Sequence, residues 1–298
     1  MKKIKSVLAI SFLGLMALLP LSWAQFLGAH LGRYFFRKGD KNKWCRFTQS
    51  NIAHCFPELS EDERNVAVQE SLIETGKSVS EMGMSWLWAP KRTLKKVVKI
   101  HHEELITNAL SKKKGVILIA PHLGNWEVLN LYLSNKYSFT AMYKPPKQPA
   151  MDKLIKRMRA RLGSRMAPAN VQGVRMVMKA LRRGEMVGIL PDQEPDLESG
   201  IYVPFFNSPA LTMKLLPQLA AQTGASVICG FAKRLPHAQG FEIYFYEGDP
   251  EINQKDLSVA ASAMNRTVEN CVRQAPWQYQ WEYKRFSSRP EGEADIYQ

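Results

Sequence analysis

In the stretch Gly115 to Asn130, GVILIAPHLGNWEVLN, two residues could do chemistry together: His122 and Glu127. An imidazole is a base near neutral pH. A carboxylate that accepts from one ring nitrogen fixes the tautomer and leaves the other nitrogen free to take a proton. On one continuous helix an offset of five would set the two side chains roughly 140° apart, at about 3.6 residues per turn, and they could not pair. A turn at Gly124-Asn125 removes that obstacle, because His122 then stays in a loop and folds back over the first helical turn. A purely structural reading stands beside this one, with His122 plugging a strand end and Glu127 complementing the helix dipole.

The elements that must position the pair follow from the apolar pattern. Residues 116–120 are a short apolar run that stops at Pro121 and reads as a buried strand, and Asn125 is placed to cap a helix that begins just after it. His122 therefore lies where a strand hands over to a helix, the place where open α/β sheets usually build sites. Further strands are expected at 139–143, 186–190, 225–231 and 241–246, with a helix over 257–274. Residues 40–108 read as helical, and Ser60 with Glu63 three places on is a capping-box signature. The alternation predicts an α/β fold, a mixed central sheet flanked by helices.

The chain has 298 residues, 45% of them apolar, and a formal net charge of +14. That excludes a disordered chain and points to an anionic partner: nucleic acid, a membrane surface or a phosphorylated substrate. The charge is concentrated. From Ala141 to Arg183 there are twelve basic residues, namely Lys144, Lys147, Lys153, Lys156, Arg157, Arg159, Arg161, Arg165, Arg175, Lys179, Arg182 and Arg183, against the single acid Asp152. Solvated surfaces normally mix both signs, so this run argues for a bound anion. His101-His102-Glu103-Glu104 lacks a second histidine at helical spacing, and Asp192, Glu194, Asp196 and Glu198 are interrupted by Pro195; neither reads as a metal site. Cys45, Cys55, Cys229 and Cys271 are scattered, with no CxxC pair, and read as reduced thiols of a cytosolic body.

Residues 6–29 contain no charge and are preceded by Lys2, Lys3 and Lys5. A cleaved signal peptide, an uncleaved anchor and a buried helix all fit, since ~20 apolar residues cross a bilayer. The anchor is favoured by the aromatic continuation to Phe36, and Pro20 would kink it. The six basic residues from Arg33 to Arg46 outnumber the three at the start and would keep the body cytoplasmic. The expected organisation is a membrane-anchor or interfacial helix over 1–38 and one α/β domain over 39–298.

There is no phosphate-loop GxxxxGK, no GxGxxG, no GxSxG and no HExxH. A base without an evident nucleophile suits activation of a substrate's own hydroxyl. His122-Leu123-Gly124-Asn125-Trp126-Glu127 resembles the HxxxxE motif of the lysophospholipid acyltransferase superfamily, in the form used by the late acyltransferases of lipid A biosynthesis, lauroyl and myristoyl types. Four further blocks match in order: Tyr143-Lys144-Pro145; Arg182 to Glu185 leading to Leu190-Pro191-Asp192-Gln193; Val203 to Phe206 with Pro209 to Thr212; and Ala275-Pro276 through Gln278-Tyr279, Trp281 and Lys284-Arg285-Phe286. Asn207 stands where the family usually has Gly, and Glu282 where it is usually apolar or aromatic.

The resemblance implies transfer of a fatty acyl chain from an acyl carrier protein thioester to a hydroxyl of a lipid A precursor, a phosphorylated glucosamine disaccharide, at the cytoplasmic face of the bacterial inner membrane. It requires neither cofactor nor metal. His122 would take the hydroxyl proton and Glu127 would orient the imidazole. Asn125 or nearby backbone N–H groups would hold the oxyanion, and Lys144, Arg159 and Arg165 would hold phosphates. Asp192 would fix one of those arginines. Another glycolipid or lysophospholipid acceptor would leave the same motifs. A membrane-tethered nucleic-acid binder explains the charge alone, since aromatics are poorly interleaved with the basic run, so nucleic acid is not the expected partner.

Overall fold

Val116–Ile119 and Met186–Ile189 are buried along their whole length, which only a strand covered on both faces can be. In the computed structural model, which describes residues 2–146 and 148–297 and the side chains from residue 7 onward, these two strands pair in parallel at the centre of a seven-stranded sheet. The strands are β1 (Val97–His101), β2 (Val116–Ile119), β3 (Phe139–Tyr143), β4 (Arg165–Pro168), β5 (Met186–Ile189), β6 (Gly200–Phe205), β7 (Ser208–Met213), β8 (Ser226–Arg234) and β9 (Phe241–Glu247). The large sheet runs β1-β9-β8-β2-β5-β3-β4, and β6-β7 form a separate hairpin. From β8 to β4 the strands are parallel, while β9 is antiparallel to β8 and carries β1 parallel to itself.

The helices are α1 (Lys2–Leu18), α2 (Leu21–Lys38), α3 (Lys43–Cys55), α4 (Glu61–Leu87), α5 (Pro90–Leu94), α6 (Glu104–Ser111), α7 (Trp126–Lys136), α8 (Pro149–Arg159), α9 (Val171–Arg182), α10 (Leu215–Thr223) and α11 (Leu257–Gln274). One core cluster joins Ile117, Ile119 and Val187 to α9, α10 and α11, and a second joins Val116, Leu118 and Met186 to α6 and α7. The sheet is therefore covered on both faces by helices, as the alternation of strand and helix signals predicts. The capping box at Ser60 and Glu63 forms and opens α4.

Three elements differ from expectation. β1 lies inside the stretch read as helical; it is a short, partly exposed edge strand whose Lys99 breaks the apolar signal. β4 hides in the basic run at the other edge, where Pro168 costs no ladder bond. The block Val203 to Phe206 with Pro209 to Thr212, where no strand is expected, lies in the β6-β7 hairpin. Its left-handed residue is Phe206, at φ +51°, and not Asn207, so the Asn that replaces the family's Gly adds no strain of that kind.

The N-terminal expectation needs correcting. Instead of one membrane-anchor helix, the chain breaks at Leu19-Pro20, and Pro20 is the N-cap of α2. No helix among the described residues is long and apolar enough to cross a membrane. Pro20 cannot donate the backbone bond a continuous helix would need, and the second half is diluted by Gln25, His30 and Arg33. The side chains of Lys2, Lys3 and Lys5, and Lys147 in the basic run, lie outside the described residues. Both helices dock on α4 through close backbone approaches. A Cβ on Gly28 would lie 2.4 Å from the Gly76 carbonyl oxygen, and one on Gly76 would lie 2.0 Å from that of Gly28. Gly76→Leu is therefore expected to lower the stability of the chain by about 1–3 kcal/mol through overpacking. A shift of the urea midpoint to lower concentration reads this out, and an unchanged midpoint contradicts the packing.

Candidate active site

β2 and β5 pair in register, Ile119 against Ile189, and each then continues into a Pro and a titratable residue: Ala120-Pro121-His122 and Leu190-Pro191-Asp192. Three residues beyond that pairing, the two side chains meet. His122 Nδ1 is 2.9 Å from Asp192 Oδ1, and the His122 backbone N–H donates to Asp192 Oδ2 at 2.7 Å. A carboxylate only accepts, so Nδ1 carries the proton and Nε2 presents its lone pair. Burial pushes the Asp192 carboxyl up, but the imidazole and the N–H donors outweigh it and hold the group below the usual aspartate value. His122 keeps some access to solvent, 16% of its side chain, whereas Asp192 keeps 1%.

The turn that follows is built as the sequence suggests. Gly124 sits at φ +62°, and a Cβ there would lie 2.1 Å from the Ala232 carbonyl oxygen. Both requirements select glycine. The backbone N–H groups of Gly124 and Asn125 donate to Gln278 (3.0 Å) and Ala232 (2.8 Å), tying the turn to the C-terminal segment and β8. Asn125 caps α7, its Oδ1 accepting from Val128 N–H at 3.0 Å and Ser85 Oγ at 3.3 Å. Its Nδ2 donates to Glu81 Oε2 at 2.9 Å. Glu81 is wholly buried and also accepts from Gln25 of α2 and from Arg234 of β8, which reaches Glu74 and Ser78 as well.

The expected pairing of His122 with Glu127 is not the one the structure makes. Glu127, buried in the first turn of α7, is taken by Arg159 at the end of α8: Nε lies 3.1 and 3.0 Å from the two carboxylate oxygens, and Nη2 donates to Oε1 as well. Burial works against the Arg159 charge, yet the Glu127 carboxylate outweighs it and raises the guanidinium pKa. So two acid–base pairs form, His122–Asp192 and Arg159–Glu127, with the partners expected of Asp192 and Glu127 exchanged. The register of β2 and β5 explains the exchange, since two strands that both run apolar-Pro-titratable must bring those residues together. That repeated phrase was the available signal for Asp192 as the partner of His122.

Two other expected site residues need correcting. Asn125 has its side chain committed to the cap and to Glu81 and is only 5% exposed. Arg165 lies at the start of β4, opposite Thr140, and donates to Glu185 at 2.8 Å ahead of β5. That is the far end of the parallel strands from His122, about 13 Å of strand for four residues. Lys144 is exposed just beyond the C-terminal end of β3, at the same end of the sheet as His122. The rest of the basic run is also divided. Arg161 donates to the carbonyls of Ser85, Trp86 and Trp88, each at 2.7 Å, and so closes the C-terminus of α4. Arg183 joins Arg165 on Glu185, and Lys156 pairs with Asp152.

An apolar cavity lies between α7 and the strands, lined by Leu118, Ala120, Leu129, Leu133, Phe139 and Leu190 together with Glu127 and Arg159. Gln193 and Gln280, which the sequence reading gave no role, stand at His122. Gln193 Nε2 is 3.4 Å from His122 Nε2 and donates to Gln280 Oε1 at 3.1 Å, while the Gln280 backbone N–H donates to the His122 carbonyl at 3.0 Å. Their signal was position alone: Gln193 follows Asp192, and Gln280 lies within the C-terminal block.

Known proteins match this chain along nearly its full length. The sequence profile of the family described as bacterial lipid A biosynthesis acyltransferase matches residues 2–288. Lipid A biosynthesis lauroyltransferase of Escherichia coli K12 is 29% identical, over 96% of this chain and 92% of its own length. The palmitoleoyltransferase of the same organism is 27% identical over 94% and 90%, and the myristoyltransferase 26% identical over 97% and 89%. Matched over residues 2–288, the chain belongs to the bacterial lipid A biosynthesis acyltransferases.

Proposed function

We propose that this acyltransferase moves a fatty acyl chain from the thioester of acyl carrier protein to a hydroxyl of a phosphorylated glucosamine disaccharide lipid A precursor, with His122 as the base. The observation that carries the reading is the His122–Asp192 pair, which leaves Nε2 unprotonated. In this mechanism Nε2 takes the hydroxyl proton and Asp192 stabilises the imidazolium. The alkoxide oxygen attacks the thioester carbonyl, and the departing thiolate recovers the proton. No covalent intermediate on the chain is needed. Glu127 acts through Arg159: it holds the guanidinium beside the cavity mouth, where its remaining N–H donors, together with Lys144, meet the acceptor's phosphate.

His122→Ala is the direct test. Acyl transfer should fall by about 10²–10⁴-fold with unfolding unchanged. Lipid A from cells carrying only that variant should lack the chain that the native protein adds, as mass spectrometry reads it. Near-normal transfer by His122→Ala removes the base from the mechanism.

The same reading places the site at the cytoplasmic face of the inner membrane, with α1 and α2 lying in the interface. Val7, Leu8, Leu15, Leu18, Trp23 and Phe26 are exposed there, and Arg33 follows on α2. Replacing Leu8 and Leu15 with Glu should weaken flotation with anionic vesicles while acyl transfer to detergent-dispersed acceptor persists. Equal flotation of the variant would place the membrane contact elsewhere.

A further inference from the structure

Acyl transfer places negative charge on the thioester carbonyl oxygen, and the groups expected to receive that charge are already committed. The backbone N–H groups of His122, Leu123, Gly124 and Asn125 donate to Asp192, Pro121, Gln278 and Ala232. The Asn125 amide is held by Glu81 and the helix cap. At the reacting nitrogen itself stands one side-chain donor. Gln193 Nε2 lies 3.4 Å from His122 Nε2, and its orientation is set rather than free.

That orientation follows from a chain of hydrogen bonds. Glu282, partly buried, accepts from Thr75 Oγ1 at 2.9 Å and from the Gln280 side chain. Gln280 must therefore present its NH2 to Glu282, leaving Oε1 to accept from Gln193 Nε2 at 3.1 Å. One hydrogen of the Gln193 amide is thus fixed on Gln280, and the other points to the lone pair of His122 Nε2. The same chain gives a place to Glu282, the acid that departs from the family's apolar pattern.

We propose that Gln193, steadied by Gln280, is the catalytic side-chain donor that stabilises the oxyanion of the tetrahedral intermediate. It rests on the acyl-transfer reading above. In the resting site the second N–H of Gln193 caps the lone pair of Nε2. The acceptor hydroxyl displaces that N–H from the single lone pair of Nε2 and then yields its proton to the nitrogen, so the Gln193 N–H is free before the oxyanion forms. In the same step the acceptor oxygen bonds to the thioester carbon and the carbonyl π pair moves onto oxygen, which takes the freed N–H. When the carbonyl re-forms, the carbon–sulfur bond breaks and the thiolate takes the proton from Nε2. The Gln193 N–H then returns to the imidazole. Proton transfer and oxyanion stabilisation are coupled through one amide.

The experiment compares the native protein with Gln193→Met and Gln193→Ala, using a dodecanoyl thioester of acyl carrier protein and a phosphorylated glucosamine disaccharide bearing a hydroxyacyl chain. Both variants should lose about 10²–10³-fold in kcat, with the KM of donor and acceptor little changed. The loss should appear in full on the pH plateau of kcat/KM. Gln280→Ala, which frees the amide without removing it, should lose less in kcat. Two variants are used because the methionine preserves volume should the alanine disturb the fold, which thermal unfolding reads. A kcat within about threefold of native in a folded variant overturns the proposal, as does a loss confined to acceptor KM. So does a shifted pH midpoint with an unchanged plateau, which would make Gln193 only a partner of the resting imidazole. If the native protein itself transfers no acyl group, the acyl-transfer reading fails instead.

Discussion

Asp192→Asn is expected to lower kcat by about 10²–10⁴-fold while leaving the fold intact, the size of effect that comes from holding a catalytic imidazole in the wrong tautomer. The His122 backbone N–H, 2.7 Å from Oδ2, requires an acceptor, so the amide oxygen of the asparagine goes there. Its NH2 then faces Nδ1, at the position where Oδ1 now stands 2.9 Å away. Nδ1 must become the acceptor, the ring proton moves to Nε2, and the base is lost. Glu127→Gln changes none of this. It weakens the hold on Arg159, so its main effect should be a higher acceptor KM. Kinetics of the two variants side by side decide between the pairings. A near-native Asp192→Asn together with a Glu127→Gln crippled in kcat would restore Glu127 as the partner of His122 in the working enzyme.

That contrast shows where the sequence is legible. The strand at β2, the turn at Gly124-Asn125 and the start of α7 follow from local signals: an apolar run ended by Pro, a residue free to take positive φ, and an Asn cap. Local signals also find His122. They do not find its partner, because Asp192 is 70 residues away and reaches it only through the register of two parallel strands. Glu127 lies five residues off and draws attention, although its own partner is likewise distant. The basic run teaches the same point. Charge composition implies a bound anion, but Arg161 is spent on helix carbonyls and Arg159 is held by a buried carboxylate, uses that no count of charges distinguishes. Short edge strands such as β1 and β4 escape because half their residues face water and carry no apolar signal.

The largest stability effect should come from Arg234→Met, which is expected to destabilise the chain by about 3–5 kcal/mol, the range for removing one partner of a buried ion pair. Arg234 is 1% exposed and Glu81 not at all, so the lost cation leaves Glu81 without a paired charge and Glu74 with Lys77 alone. The cost should spread to catalysis. Glu81 holds the Asn125 amide, which caps the helix carrying Glu127 immediately after His122. The pH dependence separates this from a simple packing defect. In the native chain burial pushes the Glu74 carboxyl up, but Arg234 and Lys77 outweigh it and lower its pKa. A lowered folded-state value contributes stability above the unfolded glutamate pKa of about 4.3, and that contribution is lost as pH falls through the folded value. Without Arg234 burial dominates, so the same carboxyl should gain a proton more readily when folded and the penalty of the variant should shrink on acidification. Urea unfolding of native and variant proteins from neutral pH downward should therefore give midpoints that converge. Midpoints that stay parallel would mean that the guanidinium contributes packing and hydrogen bonds there, and not charge.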